Sequence, residues 1–395
     1  MIVFVALLGL YALCGLLYWL WNAFTMYRMG RSVAYLGEAA APDPPRRPTL
    51  SVVVAACDEA DRIEPAALSL LGQDYPGLEI VLVDDRSTDA TGQIIDRLAA
   101  ADPRVAPVHV TELPAGWLGK VHVLREGLSR CRGELVLFTD ADVHFEPGAL
   151  ATAVAYFRHR GLDHLAALPR LWPSRLVLDA VLGLSIRQLL IGARPWAVPD
   201  ANSRAVMGVG AFNLVRREAF ERAGGFEWLR LEVADDFGLG LAMKRSGARC
   251  EVVNAFSLMG LHWYRTLGEA ARGAEKAWAT VSNFRLRRTL AVALLTFFLE
   301  LSPFLALLPL AFGPVRWVGL AGLGVFAAYV AAAGLMWRWS RGRLLPPLLG
   351  PLTVPIAAYA LLRAAVLGRR RGGVMWRGTV YPDDALREGK RVYFP

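Results

Sequence analysis

Apolar positions along the chain separate two membrane-like ends from a globular middle. Residues 1–22 carry no charged side chain, and about 20 apolar residues are enough to cross a bilayer as a helix. Three further apolar stretches cover residues 289–312, 317–337 and 344–367. Between the two ends, short apolar runs alternate with amphipathic segments, as in a globular domain. The pattern therefore predicts a globular domain held between membrane helices.

These changes of pattern also predict the domain boundaries. We expect an N-terminal transmembrane anchor at residues 1–26, a linker at 27–47, a globular domain at 48–288, membrane helices at 289–368 and a basic tail at 369–395. A cleaved signal peptide is the alternative for the first segment. However, the segment has no basic start, and no small-residue cleavage site follows it.

Basic residues at the helix ends predict the orientation. Arg28 and Arg31 follow the first apolar segment, so its C-terminal end and the globular domain are expected in the cytoplasm. The last apolar stretch, 344–367, contains four prolines and is followed by Arg369–Arg371, which also favour the cytoplasm. A re-entrant or broken helix satisfies both observations, and a full span remains the alternative.

The globular middle alternates strands and helices. A continuous β-branched run predicts a strand buried on both faces at Leu50–Ala55, and Glu79–Val83 is predicted as a second buried strand. Arg104–Val110 and Glu134–Thr139 are predicted as the third and fourth strands. Helical spacing predicts helices at Arg62–Gln73, Ala90–Ala101 and Lys120–Cys131. This alternation indicates an α/β fold with a mostly parallel sheet, in which ligands bind beyond the carboxyl ends of the strands.

Acidic residues follow three of these strands. They are Glu59 after the first strand, Asp84 and Asp85 after the second, and Asp140 and Asp142 after the fourth. Carboxylates that gather at one edge repel one another unless a cation is present. A hard divalent ion with oxygen ligands suits such a site, so Asp140 and Asp142 are the candidate metal ligands. Solvated loops and helix caps are the alternative for these residues.

Other candidate residues lie near these strand ends in the chain. Lys120 begins a helix and could hold phosphate charge, or lie on the surface. Asp235 and Asp236 could be charges at a helix N-terminus, and Asp236 could alternatively be a general base for an acceptor hydroxyl. His144, two residues after Asp142, could join the metal or phosphate site or have a packing role, and His262 could lie at the membrane-facing mouth.

The charge balance excludes few classes of protein. The chain of 395 residues has a net charge of +9 and is 55% hydrophobic. Arginines cluster beside the apolar segments, which favours anionic lipid headgroups over nucleic acid as the partner. No aromatic-interleaved basic patch indicates nucleic-acid binding. The four cysteines are scattered, without metal-site spacing.

Five motifs in order resemble the processive-synthase-like family 2 glycosyltransferases of GT-A fold. They are SVVVAACDEADRIEPAALSLLGQDYP, EIVLVDDRSTDATG, GWLGK, LFTDADV and ADDFGLG. The resemblance covers residues 48–288, and the flanking helices are similar to those of membrane-bound members. It implies an inverting transfer from a nucleoside-diphosphate sugar, with UDP expected as the nucleotide and Mg²⁺ or Mn²⁺ as the cofactor.

The resemblance also assigns roles to single residues. It implies that Glu59 and Asp85 hold the nucleoside, that Lys120 lines the donor site, and that Asp140 and Asp142 bind the sugar nucleotide and metal. Asp236 would be the base, with Asp235 as its partner in the acidic pair.

One departure from the family pattern bears on the acceptor. The Gln-x-x-Arg-Trp motif of processive polymerases is missing, and Lys276 and Trp278 stand in its region as candidate phosphate or acceptor contacts. The sequence is therefore more similar to members that glycosylate a lipid once, such as ceramide, hopanoid or carotenoid glycosyltransferases. The segment 376–381, WRGTVY, also resembles these members.

We therefore expect a multi-pass cell-membrane glycosyltransferase with a lipid acceptor. Residues 171–199, rich in leucine with Trp172 and Trp196 near the ends, predict either an interfacial helix or a core helix. A processive polysaccharide synthase is the alternative function. A nucleotide-binding scaffold or transporter without catalysis is the alternative from another class of protein, and a nucleotidyltransferase would need a glycine-rich phosphate loop that AACDEAD lacks.

Overall fold

A computed structural model describes residues 2–39, 41–42 and 46–393, apart from the side chains of 277–280. The strands are β1 Leu50–Ala56, β2 Leu78–Asp85, β3 Val105–Val110, β4 Leu135–Asp140, β5 His144–Phe145, β6 His164–Leu168, β7 Arg170–Leu171, β8 Asn213–Arg216, β9 Cys250–Asn254, β10 Met259–Leu261, β11 Gly373–Trp376 and β12 Thr379–Pro382. The helices are α1 Ile2–Ser32, α2 Ile63–Leu71, α3 Thr91–Ala101, α4 Gly119–Arg130, α5 Ala149–His159, α6 Leu176–Ala193, α7 Arg217–Arg222, α8 Asp235–Arg245, α9 Leu267–Ser282, α10 Leu286–Leu305, α11 Arg316–Ser340, α12 Leu345–Leu349, α13 Val354–Arg371 and α14 Asp383–Gly389.

A seven-stranded sheet forms the centre of the globular domain, with the order β3-β2-β1-β4-β8-β6-β9. The first four strands are parallel, and β8 is antiparallel to both of its neighbours. The alternating α/β pattern and the mostly parallel sheet confirm the fold class that the sequence predicts. The predicted bounds of the first four strands agree with the structure to within a few residues.

The two faces of the sheet support two hydrophobic cores. Along β1, Val53 and Ala55 belong to one core, whereas Val52 and Val54 belong to the other. This division follows from the strand period of two, which sends successive side chains to opposite faces. Strand β1 is buried along its whole length, in agreement with its unbroken apolar sequence.

Two segments outside the predicted globular domain pack against it. The first helix continues to Ser32, six residues beyond the predicted anchor. The Leu36 N–H then donates to the carbonyl of Asn254 in the edge strand β9, and the Asn254 N–H donates to the carbonyl of Ala34. At the other end, residues 373–392 form the hairpin β11–β12 and helix α14. Their apolar side chains join the core that contains Val53. The predicted basic tail is therefore folded onto the domain rather than separate from it.

The described residues contain five helical stretches that are long and apolar enough to cross a membrane. They are Ile2–Ser32, Leu176–Ala197, Leu286–Ala311, Gly313–Ser340 and Leu345–Arg371. Four of them correspond to the apolar stretches found in the sequence. The additional one contains α6, where Arg187 is buried and bonds to Asn22 of α1 and Glu300 of α10. Helix α6 is therefore fixed between membrane helices.

Both ends of the last apolar stretch contact the globular domain. Just before it, Arg343 donates to the backbone of Ser174. Just after it, the hairpin β11–β12 reaches helix α4, where the Tyr381 hydroxyl accepts a hydrogen bond from the Gly119 N–H at 3.0 Å. The helix itself is interrupted between α12 and α13, in a proline-containing segment. A segment that begins and ends at the same domain favours the re-entrant alternative.

We therefore expect the C-terminus to lie on the same side of the membrane as the globular domain, in the cytoplasm. A reporter fused after Pro395 should give a cytoplasmic signal, and the matched reporter inserted between Gly313 and Pro314 should give the opposite one. A C-terminal reporter on the far side of the membrane would show that residues 345–371 cross it completely.

Candidate active site

Three adjacent strands bring the predicted acidic residues to one edge of the sheet. Strand β1 lies between β2 and β4, and the three are parallel, so their carboxyl ends are neighbours. In this register Ala55 lies beside Asp140, and Ala56 lies beside Asp84. The strand ends thus supply Asp85 and Asp140 from residues 55 positions apart in the chain. This is the edge at which α/β sheets bind ligands.

Lys120 lies between the acidic residues of β4 and α8. Its Nζ is 2.7 Å from Asp140 and 3.4 Å from Asp235. Burial alone would lower the pKa of Lys120, but the charges of Asp140 and Asp235 outweigh burial, so the pKa is raised and the lysine stays charged. A residue larger than glycine does not fit at position 210 beside Asp140, because a Cβ on Gly210 would lie 2.7 Å from an oxygen of Asp140.

Asp235 and Asp236 begin helix α8 and have different surroundings. Asp235 is buried against Lys120, whereas Asp236 accepts hydrogen bonds from the backbone N–H groups of Phe237 at 2.8 Å and Gly210 at 3.2 Å. Burial, followed by the charge of Asp235, raises the pKa of Asp236 to about 6. A carboxylate with this pKa is well matched to accepting a proton near neutral pH.

Asp142 and Glu59 both approach Nη1 of Arg62. The guanidinium is 3.5 Å from Glu59 and 4.0 Å from Asp142. Burial raises the pKa of Asp142 to about 7, and the nearby charges of Asp140 and Glu59 add to the shift. The second acidic residue of the DxD motif therefore lies in a place where an additional positive charge would stabilise its ionised form.

The two acidic residues that end β2 point to different neighbours. Asp85 is fully buried and forms ion pairs with Arg86 at 2.9 Å and Arg377 at 3.0 Å. Asp84 instead accepts from the Ser87 N–H and approaches His109 on β3. Consecutive strand residues face opposite ways, so the structure does not bring Asp84 into the cluster as a donor-binding residue.

The hairpin β11–β12 contributes residues of the segment 376–381, which resembles lipid-modifying members but contains no predicted site residue. Arg377, at its tip, reaches Asp85, and the ring of Trp376 lies 4.0 Å from the Nζ of Lys276. Burial, followed by the charge of Lys120, lowers the pKa of Lys276 to about 8. Lys276 is thus close to the site, as predicted, whereas the side chain of Trp278 lies outside the described residues. The sequence does contain a hairpin signal here. Two residues, Arg377 and Gly378, lie between short apolar runs typical of strands.

His144 and His262 both pack against the ring of Trp172. The ring centroids of His144 and Trp172 are 4.9 Å apart, and those of Trp172 and His262 are 5.3 Å apart. The group lies just after the DxD motif and just before helix α6. These ring contacts are those of the packing alternative for His144.

Comparison with known proteins agrees with this geometry. The sequence profile of Glycosyl transferase family 2 matches residues 51–223. The 4,4'-diaponeurosporenoate glycosyltransferase of Staphylococcus aureus is 20% identical over 230 residues, which cover 58% of this chain and 59% of that protein. A solved structure of the mannosyltransferase PcManGT from Pyrobaculum calidifontis, in complex with GDP-Man and Mn²⁺, covers 92% of this chain and 99% of its own, with a TM-score of 0.54 and 21% identity.

The sheet and its acidic edge define a GT-A fold. Residues 51–223 match the family 2 glycosyltransferase profile, and the described residues also contain helices long and apolar enough to cross a membrane. The family resemblance and the fold class predicted from the sequence are thereby confirmed. The chain spans about three fifths of the length of the carotenoid glycosyltransferase that it matches.

Proposed function

We propose that this protein transfers a sugar, with inversion, from a nucleoside-diphosphate sugar to a hydroxyl group of a membrane lipid at the cytoplasmic face. The observation that carries the proposal is the meeting of a DxD motif, a buried lysine and an acidic pair at one sheet edge. The neighbouring helix α6, fixed among membrane helices, joins that edge to the lipid phase.

The donor would bind along the strand ends. Glu59 and Asp85 lie at the ends of β1 and β2 and would hold the nucleoside, as the family resemblance implies. Asp140 ends β4, with Lys120 as its ion partner. The diphosphate would therefore lie between these two groups of residues, where Lys120 can offset the negative charge that develops on the departing nucleotide.

Asp140 and Asp142 fit a divalent cation such as Mg²⁺ or Mn²⁺. Both supply hard oxygen ligands, and the raised pKa of Asp142 reflects its burial and, after that, the nearby carboxylates of Asp140 and Glu59. Among the described residues, no group of three His, Cys, Asp or Glu side chains is placed to hold a metal ion. The protein would therefore share the cation with the phosphates of the donor, and the bound cation would offset charge on the leaving diphosphate.

Asp236 would act as the general base. It is the member of the acidic pair that does not form the ion pair with Lys120, and two backbone N–H groups fix its orientation. In the reaction it would take the proton of the acceptor hydroxyl as that oxygen attacks the anomeric carbon. Asp235 would keep Lys120 in place and raise the proton affinity of Asp236.

A lipid acceptor is supported by the surroundings of the site. Trp172, beside His144, leads directly into helix α6, and Leu176 and Val177 at the start of that helix are exposed. Exposed apolar residues next to membrane helices favour a surface that lipids contact. The similarity to an enzyme named for a carotenoid acid points to the same class of acceptor.

Asp236→Asn tests the base and the transfer together. The variant removes proton-accepting power at nearly constant size, so kcat should fall by roughly 10²- to 10⁴-fold with little change in donor KM. Because the base acts when deprotonated, wild-type kcat should fall as the pH drops through about 6, and the variant should lose that dependence.

Purified enzyme in nanodiscs, supplied with labelled nucleotide sugars and a lipid extract, provides the measurement. Glu218→Gln, whose side chain is 81% exposed, is the matched control and should retain full activity. Unchanged kcat in Asp236→Asn, or loss of donor binding in place of turnover, would contradict the assigned role.

Val177→Asp tests the acceptor surface. Val177 is 48% exposed at the start of α6, and burying an apolar side chain of this size contributes about 1.5 kcal/mol, or roughly tenfold in affinity. We expect the lipid KM to rise by about that factor, while donor hydrolysis without acceptor stays unchanged.

Leu68→Asp is the control for added charge, since Leu68 is 53% exposed on α2. It should leave both activities unchanged. Equal effects of the two substitutions, or efficient transfer to a water-soluble acceptor with no labelled lipid, would contradict a lipid acceptor.

A further inference from the structure

The tip of the hairpin β11–β12 has an unusual backbone. Its two turn residues, Arg377 and Gly378, both have positive φ, 48° and 75°. Two such residues between paired strands form a type I′ turn, which favours Asn-Gly. A residue with a side chain costs roughly 1–2 kcal/mol in the left-handed region, so arginine is a poor choice for the turn alone. The contacts of its side chain must therefore account for it.

Those contacts lie inside the proposed donor site. Arg377 donates from Nη1 to Asp85 at 3.0 Å, and its side chain is only 18% exposed. Its charge also acts on Glu59 and Asp140, so it lies among the carboxylates of β1, β2 and β4. On the same hairpin, Tyr381 bonds to the first N–H of α4. The hairpin therefore closes one wall of the site, although it lies 150 residues beyond the end of the family match.

We propose that Arg377 binds the diphosphate of the nucleotide-sugar donor and leaves Asp85 to do so. The proposal rests on the proposed function. It follows from position, because a donor held by Asp85 at its nucleoside and by Asp140 at its sugar end must place its diphosphate between them. It follows also from chemistry, since the planar guanidinium presents paired N–H donors that match phosphate oxygens.

The surroundings of Asp85 permit this exchange. Arg86 remains bonded to Asp85 through Nε at 2.9 Å, so the buried carboxylate keeps a cationic partner when Arg377 leaves. The Nη2 of Arg86 is buried and finds no acceptor among the described residues. A Cβ on Gly119 would be 2.8 Å from both this nitrogen and the Asp85 oxygen that Arg377 holds, so the two atoms are close together. Arg86 can therefore take over that oxygen.

The test is nucleotide binding by Arg377→Asn. Asn-Gly is the preferred pair for this turn, so the variant keeps the hairpin while removing the guanidinium. With Mn²⁺ present, we expect the affinity for UDP and GDP to fall by roughly 10- to 100-fold, the scale of charge-assisted hydrogen bonds to phosphate. Affinity for uridine and guanosine should change by less than about twofold, because these probes lack phosphate.

Two further variants complete the experiment. Arg377→Lys keeps the positive charge but lacks the paired N–H donors of the guanidinium, and it should recover part of the lost affinity. Arg387→Asn removes an arginine from α14 that pairs with Asp384 on the surface, and it should bind all probes as the wild type does.

The outcomes separate this proposal from the proposed function. A hairpin that merely obstructs the site would give Arg377→Asn tighter binding of nucleosides and nucleoside diphosphates alike, which would overturn the inference. Unchanged UDP and GDP binding in a folded variant would overturn it as well. A wild-type protein that binds neither UDP nor GDP would instead contradict the proposed function.

Discussion

The structure depends on the balance of charge at the carboxyl edge of its sheet. Strand geometry and the start of α8 gather six carboxylates there, belonging to Glu59, Asp85, Asp140, Asp142, Asp235 and Asp236. Lys120, Arg62, Arg86 and Arg377 form ion pairs with five of them, all except Asp236. Like charges at this spacing are unfavourable without cations, and each cation comes from a different part of the chain. The domain, helix α4 and the C-terminal hairpin are thus joined at one site.

The individual carboxylates at this edge also differ in their surroundings. Asp140 and Asp235 share Lys120, whereas burial, followed by the charge of Asp235, raises the pKa of Asp236 to about 6. Burial likewise raises the pKa of Asp142 to about 7. The site therefore combines ion-paired groups, suited to holding cations and phosphates, with groups that gain or lose protons near neutral pH. A transfer reaction with a metal-dependent donor and a general base needs both kinds.

Much of this arrangement could be predicted from the sequence. Unbroken apolar strands followed by acidic residues specify both the sheet and the edge where Asp85, Asp140 and Asp142 meet. The separation of Asp84 from Asp85 also follows from strand alternation. Arg377 belongs to the segment 376–381 that resembles lipid-modifying members, but its contact with Asp85 could not be predicted, because it reaches the site only after the chain has passed through the membrane helices and reversed. Helix α6 was ambiguous because its apolar surface suits a core, an interface or a membrane equally, and only the contacts of Arg187 decide.

The charge balance leads to a direct test of the whole account. If two carboxylates of the protein and the phosphates of the donor hold the cation jointly, Mn²⁺ and nucleoside diphosphate must strengthen each other's binding by the same factor. Electron paramagnetic resonance of free Mn²⁺, titrated with the purified protein with and without UDP or GDP, measures that factor. The account predicts that one of these nucleotides tightens Mn²⁺ binding by at least about tenfold, within the usual range of coupling between sites. Equal Mn²⁺ affinity with and without both nucleotides would contradict it.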